Sequence, residues 1–316
     1  MIINRLHKLH GSDQAMEHNQ VKQISVNNSS GWAQAILDFG LLVKFKLTLL
    51  VLFSALMSYA IVARGQVHWG ALFLLAVGGF LVTGASNALN QVLERDYDRL
   101  MPRTANRPVV TGRISVSTAV LWAGLMALGG ITLLTIFNPL TGFLGTLSLM
   151  SYAFVYTPMK RSTPWAVLVG AVPGALPLII GGVAYAGFIT PMALVLFLLQ
   201  FLWQFPHFWG VAWVADDDYR KAGFYLLPSG TGPKDARTGL YSLLFCLGLV
   251  LGTVWAFWAG LIGGIAFAVL FLLNLYWAWC CWRLMQSCSR EAALRQMFLS
   301  FLHLPLSLIV LLLDRL

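Results

Sequence analysis

Nine apolar runs, each close to the thickness of a bilayer, punctuate the chain near residues 47–64, 70–92, 116–137, 140–157, 164–187, 191–213, 239–258, 261–282 and 297–313. A helix needs about 20 apolar residues to cross the hydrocarbon core, so the pattern predicts nine transmembrane helices. The polar stretches between them alternate in kind. Connections near Asn138-Pro139, from Gly187 to Thr190 and at Gly260 take only a few residues, whereas 93–115 and 214–238 exceed 20 and hold most of the acids. Loops that long in a compact protein usually carry function, so chemistry is expected at their end of the bundle. Residues 1–30 are polar, with scattered Asn, Gln, His and Ser and no apolar segment of the kind a signal peptide needs. They are expected to form a disordered cytosolic tail ahead of a single nine-helix domain over 31–316.

Composition narrows the class. Of 316 residues 58% are apolar and 10% charged, against roughly 45–50% and about 25% in soluble domains. An ordinary soluble fold, a disordered chain, a collagenous repeat, a disulfide scaffold and a soluble nucleic-acid binder are excluded, the last despite a net charge of +9. Cys246, Cys280, Cys281 and Cys288 form no CxxC or metal-ligand spacing and read as packing residues.

The charge orients the bundle instead. Arg5, Lys8, Lys22, Lys44 and Lys46 precede the first run; Arg95, Arg99, Arg103, Arg107 and Arg113 follow the second; Lys160 and Arg161 follow the fourth. Arg220, Lys221, Lys234 and Arg237 follow the sixth, and Arg283, Arg290 and Arg295 the eighth. Nineteen of the 21 basic residues thus fall on one side, leaving Arg64 and Arg315 on the other. The positive-inside rule then expects a cytoplasmic N-terminus and an odd number of spans. Lys44 and Lys46, just before the first run, are expected to snorkel to the interface.

Two constellations carry candidate chemistry. Asn90, Glu94 and Asp98 recur at i, i+4 and i+8, which stacks three oxygen donors on one helix face with Asn87 beside them. Such a row suits Mg²⁺, which takes one or two protein carboxylates and completes its shell with water and phosphate oxygens. Arg103 and Arg107 follow, four apart, and a guanidinium grips phosphate in a bidentate manner. The row has a blander reading as a solvated helix end, with Glu94, Asp96 and Asp98 paired to Arg95 and Arg99. The second constellation, Trp203-Gln204-Phe205-Pro206-His207-Phe208 followed by Asp216-Asp217-Asp218-Tyr219-Arg220-Lys221, sets three acids at a helix C-terminal end. Macrodipole and leaflet potential both disfavour them there, and a bound cation would offset that.

Together with Met101-x-Arg103-Thr104-x-Asn106-Arg107-Pro108, Tyr156-Thr157-Pro158-Met159-Lys160-Arg161 and Gly174-Ala175-x-Pro177, these motifs resemble the haem branch, the protohaem IX farnesyltransferases or haem O synthases, of the UbiA-type intramembrane prenyltransferases. The likeness runs over about residues 40–313. The superfamily's second Asp-x3-Asp motif is incomplete, since Val214 and Ala222 stand four residues either side of Asp218; Asp216 and Asp217 are alternative partners for it. The resemblance implies an all-α fold with nine helices around a lipid-accessible cavity, set in a bacterial inner membrane with its active site facing the cytoplasm. It implies transfer of a farnesyl group from farnesyl diphosphate to a vinyl group of haem B, the haem serving as substrate, and leaves a haem A synthase or terminal oxidase as a downstream partner. Mg²⁺ on Asn90, Glu94, Asp98 and Asp218, with Arg103, Arg107, Lys160 and Arg161, would neutralise the leaving diphosphate. Apolar walls would shield the allylic cation from water, and Tyr156, Trp203 and Tyr219 offer aromatic faces to it, or serve as interfacial belt residues. His207 is expected to contact haem, to bond a neighbouring helix or to touch diphosphate.

Overall fold

A computed structural model describes residues 31–316, and the expected tail with its basic and histidine residues lies outside that range. A unit boundary falls between Leu41 and Leu42, and the second unit runs from Leu42 to Leu316. Every regular element among the described residues is helical: α1 (Gly31–Leu42), α2 (Phe45–Ala63), α3 (Trp69–Leu93), α4 (Arg95–Asp98), α5 (Pro108–Thr111), α6 (Val116–Thr135), α7 (Pro139–Met150), α8 (Thr157–Met159), α9 (Ala166–Ala186), α10 (Pro191–Val214), α11 (Asp216–Lys221), α12 (Ala236–Trp258), α13 (Gly264–Ser287) and α14 (Arg290–Leu313). A π-helical turn, Ser151–Tyr156, fuses α7 and α8 into one span. Nine helices among the described residues are long and apolar enough to cross a membrane, matching the nine expected runs. The protein is a multi-pass membrane protein.

Side chains set the helix starts. Ser115 accepts from the Thr118 amide at 3.1 Å, Asn138 from Thr141 at 2.9 Å, Thr190 from Ala193 at 3.1 Å and Ser289 from Ala292 at 3.2 Å. Each satisfies an amide that the first helical turn cannot. The last of these starts α14 at Arg290, seven residues ahead of its apolar run.

The most enclosed span is α9, packed against α2, α7 and α10. Its Gly/Ala/Pro-rich sequence brings backbones together, the usual basis of packing where lipid offers no hydrophobic drive between helices. A Cβ on Gly181 would strike the Ala55 carbonyl oxygen of α2, and Ser58 Oγ donates to the Leu178 carbonyl at 2.5 Å across the same contact. Pro177 leaves the Pro173 carbonyl without its helical donor, and Ser148 of α7 supplies one at 3.4 Å. On the other flank Gln200 and Gln204 of α10 donate to the carbonyls of Gly174 and Ala171, at 2.6 and 3.0 Å.

A buried polar relay ties α12, α13 and α14: His303 Nε2 lies 2.7 Å from Asn274 Oδ1, and Asn274 Nδ2 donates to Thr253 Oγ1 at 2.9 Å. Beside it a small apolar hollow, lined by residues including Leu199, Leu249 and Leu270, opens between α10, α12 and α13. The conspicuous polar cluster lies at the other end, where α3, α8 and α10 finish.

Candidate active site

The row on α3 survives the end of its helix. Glu94 leaves helical geometry at φ −100°, ψ 6°, yet its amide still bonds the Asn90 carbonyl at 3.0 Å and Asp98 bonds the Glu94 carbonyl at 2.8 Å. The three oxygen-bearing side chains therefore stay in line across a bend. All are buried, Asn90 to 1%, Glu94 to 4% and Asp98 to 1% exposure, which rules out the solvated helix end. Of the acids in this stretch, Asp96 points to solvent and pairs with Arg95 at 3.7 Å.

Each member of the row faces a cation from elsewhere in the chain. Lys44 Nζ donates to Asn90 Oδ1 at 2.7 Å, Lys160 Nζ meets Glu94 at 2.5 Å, and Arg107 pairs with Asp98 Oδ2. Asn90 Nδ2 also donates to Thr157 Oγ1 at 3.2 Å, which holds α3 against the end of the fourth span. Asn87 is spent on structure, donating to the Val43 carbonyl and to Thr48 Oγ1. Lys44 is thus not the expected snorkelling residue. It turns inward from a left-handed backbone, φ 49° and ψ 57°, a conformation that costs a non-glycine residue on the order of 1 kcal/mol and tends to be kept at functional sites.

Burial dominates the electrostatics. It pulls the Lys44 ammonium down to about 7, helped by the nearby charges of Arg107 and Lys160, with Glu94 and Asp98 opposing. It also raises the Asp98 carboxyl even though Arg107 pulls the other way. Asp98 Oδ1 is buried with no hydrogen-bond partner, and such an oxygen beside a buried carboxylate and an amide oxygen suits a hard divalent cation. Among the described residues no group of three or more His, Cys, Asp and Glu gathers, so the donor set is two carboxylates and an amide.

Six further side chains, Tyr97, Arg103, Tyr156, Arg161, Tyr219 and Phe224, lie around this donor set. The π-helical turn ahead of Pro158 delivers Tyr156, Thr157 and Lys160 together. Proline has no N–H to donate and its ring crowds the carbonyl four residues back, a cause for the widened turn. Lys160 Nζ lies 5.0 Å from the Tyr156 ring centre and 5.9 Å from that of Phe224, while the Arg161 guanidinium sits 4.3 Å from the Tyr97 ring. Arg161 also donates to the Leu93 carbonyl at 2.5 Å. From the other side, Tyr219 Oη and Arg103 lie 3.2 Å apart, and Tyr97 packs on Phe224 at 5.5 Å. Lys44, Arg107 and Lys160 therefore meet the row with its two buried carboxylates directly, while Arg103 and Arg161 stand on the neighbouring Tyr219 and Tyr97 rings. That balance favours an anion bridged by a divalent cation.

The three successive acids separate by role. Asp216 is 4% exposed and holds Arg220 Nε at 2.7 Å; Arg220 in turn donates to the carbonyls of Thr231 and Gly232 at 3.0 and 2.6 Å. This stitches down the loop after α11. Asp217 is 90% exposed. Asp218 is one third exposed and meets Lys221 at 3.3 Å, intermediate between buried Asp216 and solvent-facing Asp217. Trp203 and His207 lie on α10 away from the cations. Their rings stack at 4.4 Å and both bond Ser300 of α14. Sequence reasoning missed Lys44, Tyr97, Thr157 and Phe224; the αL lysine carries no sequence signal, whereas Thr157 lay inside a motif already singled out.

Nine membrane helices with a buried carboxylate row and facing cations at one rim define a polytopic membrane protein with a polar site of both signs at one end of its bundle. The chain belongs to the UbiA prenyltransferase family, whose pattern matches residues 51–302. It is 42% identical over 282 residues to the protoheme IX farnesyltransferase of Cytophaga hutchinsonii, covering 87% of this chain and 96% of that protein. With the protoheme IX farnesyltransferase of Flavobacterium johnsoniae it shares 39% identity over 297 residues, covering 92% and 98%. Its fold is also similar to a structure described as digeranylgeranylglyceryl phosphate synthase in membranes, with TM-score 0.77 and 14% identity over 89% of this chain and 99% of that one. A UbiA homologue from Archaeoglobus fulgidus, solved bound to GPP and Mg²⁺, superposes with TM-score 0.64 and 17% identity over 87% and 99%.

Proposed function

We propose that this protein farnesylates haem B at a vinyl group to give haem O, with farnesyl diphosphate as donor. The observation that carries the reading is the buried Asn90, Glu94 and Asp98 row facing Lys44, Lys160 and Arg107. Relatives named protoheme IX farnesyltransferase along nearly the whole chain support haem as acceptor.

The allylic C–O bond must break to leave diphosphate, a developing charge that fixed cations stabilise without reorganising. Arg103, Arg107, Lys160 and Arg161 are the diphosphate ligands in this reading, and Lys44 joins them. Asn90, Glu94 and Asp98 would hold Mg²⁺, which supplies Lewis-acid neutralisation of the leaving oxygens when bound; Asp218 does not gather with that row among the described residues and would serve a second ion across the pocket. Tyr156 and Tyr219 border this pocket and present π-faces to the farnesyl cation. The cation bonds to the terminal vinyl carbon; water then supplies hydroxide to the resulting benzylic-type carbon and the remaining proton leaves to solvent. His207 and Trp203 are the haem contacts. The cation-rich rim faces the cytoplasm of a bacterial inner membrane, by the positive-inside rule, and the product is suited to a haem A synthase or terminal oxidase.

The test offers purified protein farnesyl diphosphate, Mg²⁺ and an equimolar mixture of haem B and 4-hydroxybenzoate, with products resolved by mass. Farnesylated haem alone is expected. Prenylation of the benzoate alone would overturn the acceptor assignment.

A further inference from the structure

His207 is tethered in a way that decides which of its nitrogens is free. Ser300 Oγ donates to the Met297 carbonyl at 2.5 Å, and a serine hydroxyl has a single proton to give. At the 2.7 Å contact between Ser300 Oγ and His207 Nδ1, the serine must therefore accept and the imidazole donate. The neutral ring then carries its proton on Nδ1 and its lone pair on Nε2, which makes no hydrogen bond among the described residues.

The tether is rigid. Ser300 is fully buried, and its carbonyl accepts Trp203 Nε1 at 3.1 Å, while the Trp203 ring lies almost parallel to the imidazole, 14° apart. One turn earlier on α14, Gln296 donates to the Pro206 carbonyl at 2.7 Å. Three bonds from Gln296 and Ser300 thus fix the Trp203–His207 segment of α10, and Phe301 packs edge-on to the ring at 5.4 Å.

We propose that Ser300 is a positioning residue that locks His207 as the Nδ1–H tautomer and so presents Nε2 as a Lewis base to the iron of the haem substrate. This rests on the haem reading above. Histidines that bind metal characteristically donate their other N–H to a fixed acceptor, and loss of that acceptor costs roughly 10- to 100-fold in metal affinity. Ser300 meets that requirement from a different helix, 93 residues along the chain.

The test is a titration of the full-length purified protein with ferric haem B, followed by absorption and electron paramagnetic resonance, beside binding of labelled farnesyl diphosphate. Wild type is expected to give an imidazole-ligated haem spectrum that His207→Ala lacks. Ser300→Ala is expected to weaken haem binding roughly 10- to 100-fold with farnesyl diphosphate affinity unchanged, and Ser300→Thr to restore the spectrum. In parallel, ¹⁵N shifts of histidine-labelled wild type should report His207 as the Nδ1–H form, a reading that needs no variant to fold. The proposal is overturned if Ser300→Ala keeps wild-type spectrum and affinity, if wild type gives no imidazole signature while turning over haem, or if His207 is the Nε2–H tautomer. Wild type that makes no farnesylated haem at all would instead defeat the functional reading.

Discussion

Replacing Asp98 with asparagine separates charge from shape at the centre of the site. The side chain keeps its volume and one acceptor, so Arg107, itself only partly buried, retains a hydrogen bond. What goes is one of two buried carboxylates in a row that meets Lys44, Lys160 and Arg107, together with the spare Oδ1. Removing one preorganised partner of a developing charge typically costs about 10²–10³ in rate, or about 3–4 kcal/mol. Each factor of ten in rate is 1.36 kcal/mol of barrier. The stability cost is smaller, about 1.5–3 kcal/mol, the net worth of a hydrogen bond to a charged group. Turnover of farnesyl diphosphate should therefore fall at least about 100-fold while the detergent-solubilised protein still elutes as a folded species and melts cooperatively. Asp98→Asn protein with wild-type kcat/KM at saturating Mg²⁺ would refute the role given to the row.

Tyr219→Phe removes the hydroxyl that Arg103 meets at 3.2 Å in an exposed contact, and should raise the KM for farnesyl diphosphate by roughly 2- to 10-fold, the worth of one solvent-exposed hydrogen bond, with little change in the haem KM. Asp216→Asn frees Arg220 from its helix-side partner and loosens the loop it stitches, so limited trypsinolysis at Lys221 and Lys234 should accelerate, whereas exposed Asp217→Asn should leave the digest unchanged. Gly181→Ala drives a methyl into the Ala55 backbone and should destabilise by about 1–3 kcal/mol, read as a fall in the thermal midpoint; Gly124→Ala, with nothing within 4 Å of the new carbon, should be neutral or slightly stabilising.

What the sequence made legible follows from the physics of each feature. Nine spans were readable because length and hydropathy alone decide whether a helix can cross a bilayer. The Asn90, Glu94 and Asp98 row was readable because helical spacing is local, and the bend at Glu94 keeps that register. Lys44 was not, since its partner lies 46 residues away and the contact depends on how α2 docks on α3. The triple acid was legible only as a cluster: consecutive helical residues point about 100° apart, and which of Asp216, Asp217 and Asp218 turns inward depends on the loop that Arg220 holds. Likewise the motif around His207 was visible, but Ser300, which sets its tautomer, stands on another helix without any signature of its own.

The most direct measurement is a single turnover with farnesyl diphosphate labelled at C1, Mg²⁺ and limiting haem B. The label should pass into a haem product heavier by one farnesyl group and one hydroxyl group, with one diphosphate released per haem, and both signals should form at least about 100-fold more slowly in Asp98→Asn. Label recovered only as farnesol, with haem unmodified, would contradict the account.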